Sequence, residues 1–209
     1  MADTAEDPST ALLQIQPDEG GPSDAVGARR IVGQNRAMVT AEDVVRVVDS
    51  LTQRGIRVWL DGGWGVEALL GSQHRAHDDL DIVVALADVD SVISILERLG
   101  YRSAEDHLPT RLVLRAPDGR QVDIHPVTFD EHGIGWQAGA GPRGGDCAYP
   151  ASGLTNGTVA GIPVGCLTPD LQAAHHDGYE PTEKDREDLD RLHRRFGVAL
   201  PQQYGAPGA

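Results

Sequence analysis

The chain has 209 residues, of which 40% are hydrophobic and 24% charged, with a formal net charge of −14. These values are typical of one soluble globular domain. The negative charge disfavours general binding to nucleic acid, and its field favours a cationic small molecule. No apolar run approaches the length of a membrane span, and the N terminus lacks a signal-peptide pattern. We therefore expect a cytoplasmic protein with neither a membrane nor a nucleic-acid partner.

The first 37 residues differ in composition from the rest of the chain. They are rich in Asp, Glu, Gly, Pro and Ser, and ALLQI is their one short apolar segment. Such a segment buries too little apolar surface to offset the entropy lost on folding. Residues 1–37 are therefore predicted to be a disordered tail.

The first half of the remaining chain alternates helices with strands. Thr40 and Asp43 have the spacing of a capping box, and a helical apolar stripe follows from Val44 to Leu51. Periodicity and glycine stops then predict a strand, a short helix, a strand and a helix, over 56–60, 64–70, 79–84 and 89–99.

The second half is richer in strand and turn signals. RLVLRAPDGRQVDIHPV predicts two strands around a Pro-Asp-Gly turn, and TVAGIPVGCL predicts a second hairpin. Residues 130–157 are rich in glycine and favour no particular element. Capping patterns at Thr168 and Thr182 open two final helices. This order of elements predicts an α+β fold, with a mixed sheet flanked by helices and a small helical C-terminal part.

The two cysteines, Cys147 and Cys166, form no CxxC motif. Free thiols in a reducing cytoplasm are therefore predicted, with a single disulfide as the alternative.

Three aspartates have a spacing that brings their side chains to one face of the predicted strands. Asp79 and Asp81 are two residues apart on one strand, and Asp123 and His125 are two apart on a later one. Neighbouring carboxylates repel each other, and a bound divalent cation removes that cost. A further acid on an otherwise apolar strand suits a base or an extra ligand in phosphoryl transfer. Alone, DDLD would be explained as well by a solvated acidic loop, and Asp123 is what favours a metal site.

A glycine pair directly follows the first predicted strand and precedes a helix. Gly63, Gly65 and Ala68 fit the dinucleotide fingerprint G-x-G-x-x-A, which would indicate a dinucleotide-binding oxidoreductase. That fingerprint belongs to a series of parallel βαβ units, whereas the later strands of this chain are predicted to form hairpins. The oxidoreductase is kept as an alternative.

The segments GGWGVEALLG, R-x-HDDLDI and RLVL…DGRQVDIHPVTFDEHG together resemble the small antibiotic nucleotidyltransferases of the DNA polymerase β superfamily. The closing Q-x-x-x-H-x-GYE…LPQQY pattern resembles the lincosamide nucleotidyltransferases in particular. The resemblance covers residues 40–204 and implies a polymerase β-like sheet. It also implies a nucleotidyltransferase core over 38–166 and a helical segment over 167–209 that completes the substrate site.

The resemblance implies a reaction and a role for each acid. The enzyme would move AMP from ATP to a hydroxyl of a lincosamide and release pyrophosphate, with an aminoglycoside 2″-hydroxyl as the alternative acceptor. Asp79 and Asp81 would bind Mg²⁺, while Asp123 would be the general base and a third metal ligand. ATP and the antibiotic would be the partners of a monomer or homodimer. A transferase acting on RNA or protein and a non-catalytic binding protein are the remaining hypotheses.

The resemblance also implies contacts with the nucleotide. Gly62, Gly63 and the helix N terminus near Trp64 would bind the triphosphate. Arg75 would contact phosphate, or else be a surface cation. Candidate contacts to nucleotide or drug are His125, His176 and Glu180, with a hydrogen-bonded structural role as the alternative for each histidine.

Two residues between the glycine pair and the acids are given other roles. Glu67 is predicted to face solvent from the short helix, and His77 is predicted to orient the acidic loop.

Overall fold

The computed structural model describes residues 37–141, 145–177 and 179–204. The predicted disordered tail, apart from its last residue, lies outside the described residues. The described residues belong to one compact unit. The proposed division of the chain at 166/167 falls just inside the end of a strand and stays a prediction.

A mixed sheet forms the centre of the fold. Its strands within the described residues are β1 (Val58–Leu60), β2 (Asp79–Ala85), β3 (Arg102–His107), β4 (Arg111–Arg115), β5 (Gln121–Phe129), β6 (Gly135–Gln137), β7 (Cys147–Tyr149), β8 (Leu154–Val159) and β9 (Ile162–Leu167). The strand order is β3-β4-β5-β2-β1-β9-β8, and β6 pairs with both β5 and β7. β2 is parallel to β5 but antiparallel to β1, so the predicted α+β class with a mixed sheet is confirmed.

Helices flank the sheet. In the described part of the chain they are α1 (Ala41–Thr52), α2 (Gly62–Leu70), α3 (Val89–Arg98), α4 (Pro169–His175) and α5 (Glu183–Phe196). The capping boxes at Thr40 and Thr182 are both formed. α2 begins two residues before its predicted start, because the carboxylate of Asp61 caps it.

Two hydrophobic clusters position the helices. The larger one joins α1 and α3 to the apolar face of the sheet, which includes Leu80, Ile82 and Val84 of β2. A smaller one joins Val66 of α2 to α4 and α5, and its members there are Ala173, Leu189 and Leu192. This second cluster holds the C-terminal helices beside the β1–α2 connection.

Three strands are absent from the predicted elements. β3 is an edge strand whose side chains are exposed or half-buried, so it lacks the apolar alternation that marks a strand in sequence. β6 and β7 have three residues each and lie in the glycine-rich segment. In the described ranges, we find no helix with the length and apolar character needed to cross a bilayer.

Candidate active site

The register of two parallel strands brings the predicted acids together. Asp81 of β2 lies directly opposite Asp123 of β5, and Asp79 lies opposite Gln121. Ligand atoms of Asp81, Asp123 and His125 all lie within 4.8 Å of one another. The alternation of the two strands therefore gathers two carboxylates and one imidazole on one face, as the sequence predicted.

Asp123 is buried and paired with an arginine that sequence analysis did not identify. Nε of Arg111 donates to Oδ1 of Asp123 at 2.9 Å and to Oδ2 at 2.8 Å. Burial raises the pKa of Asp123 above its ordinary value, and the nearby charge of Asp81 acts in the same direction against the pull of Arg111. The result is a carboxylate with increased proton affinity in a fixed orientation.

His125 is held by hydrogen bonds on both sides of its ring. Nε2 lies 3.2 Å from Oδ1 of Asp81, and Nδ1 lies 3.1 Å from the amide nitrogen of Gln137. Tyr149 donates to the amide oxygen of Gln137 at 2.7 Å, which fixes the orientation of that amide. Because the Gln137 nitrogen is a donor, Nδ1 accepts, and the Nε2 proton is directed at Asp81.

Close packing accounts for the glycine pair. Gly62 has a φ of +54°, and a β-carbon there would collide with the carboxylate of Asp81. A β-carbon on Gly63 would collide with the ring of His77 and lie 2.6 Å from Nη2 of Arg75. The amide of Gly62 donates to Oδ1 of Asp61 at 2.7 Å. The pair thus lets the start of α2 approach the acidic cluster.

Glu67 does not face solvent, so that prediction is wrong. Its side chain is 3% exposed because the 72–78 loop folds over α2 and contacts the carboxylate. The carboxylate accepts hydrogen bonds from the backbone amides of His74 and Arg75 at 2.9 and 3.2 Å. It also lies 3.0 Å from Nε2 of His77, in agreement with the predicted orienting role of that histidine.

The hydrogen bonds of Glu67 give it an unusual acidity. Burial alone would raise the pKa of the carboxyl, but the bonds from His77, His74 and the backbone outweigh burial and lower the pKa to about 2. Glu67 therefore ties the 72–78 loop to α2 as a stable anion.

Arg75 lies beside the acidic cluster but is engaged by α5. Its Nε donates to both carboxylate oxygens of Asp188 at 3.1 Å, and its Nη2 donates to Oδ2 at 2.6 Å. Asp188 is buried, at 3% exposure. A sequence signal for this acid exists, because Asp188 lies four residues before buried Leu192 on the same face of α5.

Of the remaining predicted residues, His176 lines a cavity, whereas Glu180 and the Trp64 side chain do not line it. Nδ1 of His176 donates to the carbonyl of Gln172 at 2.7 Å, and the ring lines the first cavity described below. Glu180 is exposed and lies outside the residues that line that cavity. The Trp64 indole is buried beside His77, so only the backbone of Trp64 can reach a ligand at the start of α2.

Two adjacent cavities surround the acids. The first, of about 350 Å³, is lined by Gly62, Gly63, Arg75, Asp79, Asp81, His176 and Lys184 among others. The second, of about 500 Å³, is lined by Arg111, Gln137, Cys147 and Tyr149 among others. Both share a wall formed by Asp61, His125, His175 and Tyr179. The two cavities therefore lie on either side of one wall, and residues of both charges line the first cavity.

Asp61 and His175 of this wall were not predicted as site residues. Asp61 directly precedes the glycine pair, where an N-cap signal could have identified it. His175 lies at the end of the short helix α4, and no spacing motif in the sequence indicates it.

The geometry excludes the dinucleotide alternative. β1 and β2, which flank the glycine-containing helix α2, are antiparallel. The dinucleotide fingerprint requires a parallel βαβ unit at this place.

Comparison with known proteins gives consistent matches. The family model described as aminoglycoside-2''-adenylyltransferase matches residues 43–192. A lincosamide resistance protein of Staphylococcus haemolyticus is 31% identical over 154 residues, which cover 74% of this chain and 94% of that protein. A 2''-aminoglycoside nucleotidyltransferase of Escherichia coli is 27% identical over 121 residues, covering 58% of this chain and 63% of its own length.

Solved structures extend the match to three dimensions. The lincomycin-bound crystal structure of the lincosamide antibiotic adenylyltransferase LnuA superposes with a TM-score of 0.67 at 31% identity, covering 75% of this chain and 98% of that one. The solution structure of ANT(2'')-Ia has a TM-score of 0.59 at 21% identity, covering 74% and 82%, and shows that the fold is shared. Because the family model spans most of the described residues and the lincosamide resistance protein matches over nearly its whole length, the chain belongs to the aminoglycoside-2''-adenylyltransferase family of nucleotidyltransferases.

Proposed function

We propose that this protein is a Mg²⁺-dependent nucleotidyltransferase that moves AMP from ATP to a hydroxyl of an antibiotic and releases pyrophosphate. The observation that carries the proposal is the register in which Asp81 of β2 lies directly opposite Asp123 of β5. Two carboxylates on adjacent strands beside a cavity are suited to a divalent cation and to proton transfer.

The acidic cluster fits a hard divalent cation. Ligand atoms of Asp81, Asp123 and His125 lie within 4.8 Å of one another, and Asp79 lies two residues before Asp81 on the same strand. In our proposal, Asp79, Asp81 and Asp123 hold Mg²⁺. When bound, the metal supplies positive charge that offsets repulsion between these acids and the phosphates of ATP.

Asp123 acts as the general base in this proposal. Burial raises its pKa, so the carboxylate has more affinity for the proton of an attacking hydroxyl than an exposed aspartate has. Arg111 fixes both carboxylate oxygens in place. Asp123 takes the proton as the hydroxyl oxygen attacks the α-phosphorus in line with the leaving pyrophosphate.

The first cavity is assigned to ATP. The backbone N–H of Gly62 donates to Asp61. We therefore assign the phosphate contacts at the start of α2 to the backbone N–H groups of Gly63 and Trp64. Arg75 and Lys184 bring cationic groups to the same cavity. The pairing of Arg75 with Asp188 holds its guanidinium in one orientation while reducing its net charge.

The second cavity is assigned to the antibiotic. His125 lies on the wall between the two cavities, where it can contact both substrates. Ala174 and His175 of α4 line this cavity, and Lys184 and Asp188 of α5 line the first one, which supports the proposal that the segment 167–209 completes the substrate site. His176 contacts the nucleotide side in this proposal, and exposed Glu180 attracts the cationic drug.

A lincosamide is the preferred acceptor. The support is the match to the lincosamide resistance protein, which extends over 94% of that protein, and the match to the lincomycin-bound structure. An aminoglycoside 2″-hydroxyl is the second candidate, because the matching family model carries that description.

The test is an adenylylation screen by mass spectrometry with lincomycin, clindamycin and an aminoglycoside panel, each with ATP or GTP. We expect a lincosamide to gain one AMP in the presence of ATP and Mg²⁺, and we expect chelation of Mg²⁺ to stop the reaction. Transfer to aminoglycosides alone would select the second candidate. Absence of transfer to every acceptor, although calorimetry detects binding of Mg·ATP, would refute antibiotic adenylylation.

A further inference from the structure

A cysteine, a histidine and an aspartate form a row along the wall of the second cavity. Sγ of Cys147 lies 3.4 Å from Nε2 of His175. Nδ1 of His175 lies 3.6 Å from Oδ2 of Asp61, within ion-pair range. The proposed transfer reaction uses neither the thiol nor this imidazole.

We propose that Cys147 is a covalent-modification site, at which small alkylating agents and low-molecular-weight disulfides that enter the second cavity react with a thiol assisted by His175. A thiol beside a protonated histidine that a third group orients is a general arrangement of an activated cysteine. This proposal does not depend on the proposed function.

The thiol is accessible from the second cavity. Cys147 is half-buried on β7 and is one of the residues that line this cavity of about 500 Å³. That volume is large enough for a small organic electrophile. Access therefore comes from the cavity and does not require opening of the fold.

His175 is held so that its Nε2 is directed at the sulfur. The ring of Tyr149 packs edge-on against the imidazole, with the ring centroids 4.6 Å apart. Burial lowers the pKa of His175, but its bonds with Asp61 and Cys147 outweigh burial and raise the pKa to about 10. At neutral pH the imidazole is thus protonated and donates to Sγ. The other titratable groups that line this cavity are Arg111, His125, Asp177 and Tyr179.

The reaction needs no further component. The thiol loses its proton to solvent, and the sulfur then attacks the carbon of an alkylating agent, so that a C–S bond forms and the halide leaves. With a disulfide, an S–S bond forms to one half and the other half leaves as a thiolate. In both cases the N–H of His175 stabilises negative charge on the sulfur.

The chain contains its own control. Cys166, the other of its two cysteines, is fully buried on β9, and burial raises its pKa to about 12. A buried thiol in apolar surroundings is inert. Cys166 should therefore stay unmodified for as long as the core is folded.

The experiment measures modification of the native, full-length protein by iodoacetamide and by 2-hydroxyethyl disulfide at pH 7. Mass spectrometry of the two cysteine peptides gives a rate for each thiol. In the native protein, we expect Cys147 to react at least about 10-fold faster than Cys166. When each rate is divided by the rate of free glutathione in the same solution, native Cys147 should react about 5-fold faster than Cys147 of the guanidinium-denatured chain. A native rate of Cys147 equal to or below its denatured rate would overturn the proposal.

A His175→Gln variant tests the role of the imidazole. Its Cys147 should react about 10-fold more slowly than in the wild type, and the two proteins should react equally after denaturation. Continued protection of Cys166 shows that the variant is folded. An unchanged Cys147 rate in a folded variant would remove His175 from the proposal. If Cys166 becomes reactive in the variant, the variant is not folded. The proposal is then tested by the Cys147 rates of the native and the denatured wild-type protein.

The expected effect of Cys147 alkylation on AMP transfer does rest on the proposed function. If the second cavity binds the antibiotic, alkylated protein should lose transfer and keep its affinity for Mg·ATP. Full transfer by completely alkylated protein would show that the adduct leaves the acceptor site open. An absence of transfer before alkylation would count against the proposed function and leave the modification site unaffected.

Discussion

The first cavity has two unlike sides. On the strand side, Asp79 and Asp81 line the cavity and Asp123 lies opposite Asp81, because of the period of two residues and the register of β2 against β5. The loop side consists of residues 72–78, held to α2 by Glu67 and to α5 by Asp188. One side is built by regular backbone geometry, the other by buried polar bonds between distant segments.

The two sides also differ in their electrostatics. Asp123 on the strand side is buried, and burial, with a smaller effect from the charge of Asp81, raises its pKa. Glu67 on the loop side is surrounded by donors, and its pKa is lowered to about 2. A buried acid with a raised pKa is suited to binding a cation or a proton, whereas an acid with a lowered pKa and several donors stabilises a conformation. Strand-side substitutions should therefore impair turnover, and loop-side substitutions should impair stability.

The largest effect is expected for Asp123→Asn. The amide cannot accept the proton of the attacking hydroxyl, so kcat should fall by about 10³- to 10⁴-fold while affinity for Mg·ATP is largely kept. Steady-state kinetics and isothermal titration measure the two quantities. Asp49→Asn, an exposed substitution on α1, is the matched control. Near-normal turnover of Asp123→Asn would remove Asp123 from the role of base.

Asp81→Asn should reduce transfer by about 10³-fold through weaker metal binding. Raising the Mg²⁺ concentration should restore part of the activity of this variant, which it should not do for Asp123→Asn. The free energy of unfolding should change little, because the loss of repulsion with Asp123 is offset by a weaker bond with His125. A large loss of stability would show that Asp81 is chiefly structural and would blur the contrast between the two sides.

The same contrast explains what the sequence could predict. Strand alternation and the position of the glycine pair identify Asp79, Asp81 and Asp123, because these depend on local periodicity and short spacing. Arg75 and Asp188 are separated by more than a hundred residues, and nothing local indicates their bond. Glu67 was misassigned because its burial depends on how the 72–78 loop folds over α2, which no periodicity in the sequence indicates.

The helical and strand elements follow the same rule. α1 and α5 have capping boxes and apolar stripes of their own, and both were predicted. β3 is exposed at the edge of the sheet, and its pairing with β4 alone makes it a strand. Elements whose own residues bury a face can be predicted from the sequence, whereas elements that depend on a partner cannot.

On the loop side, Glu67→Gln should lower the free energy of unfolding by on the order of 3 kcal/mol, from the difference between a pKa of 4.5 and about 2. The folded-state pKa is the lower one, so this stabilisation is complete above about pH 4.5 and disappears as the pH falls towards 2. Urea unfolding across that range should show a steep loss for the wild type and a flatter profile for the variant.

A matched substitution sharpens the test of Glu67. Glu97→Gln changes the same side chain at an exposed position of α3 and should alter stability by less than about 0.5 kcal/mol. Equal stabilities for the two variants would contradict the anchoring role of Glu67. For Glu67→Gln, we expect KM for ATP to rise more than kcat falls, because the loop that carries Arg75 would be less ordered.

The smallest effect on stability is expected for Lys184→Gln, which removes a partner of the loop side on α5. Nζ of Lys184 lies 3.3 Å from Oδ1 of Asp78, but the lysine side chain is 57% exposed. An exposed ion pair contributes at most about 1 kcal/mol, so the unfolding free energy should barely change.

The same substitution should weaken ATP binding. Lys184 lines the first cavity, where its charge can attract the triphosphate. Its removal should raise KM for ATP about 5-fold and leave the pH dependence of KM unchanged. Because this attraction is screened by ions, the difference in KM between wild type and variant should shrink as salt is raised. A KM that is unchanged at low salt would remove Lys184 from ATP binding. A KM change that is insensitive to salt would point instead to a rearrangement of the 72–78 loop, whose Asp78 pairs with Lys184.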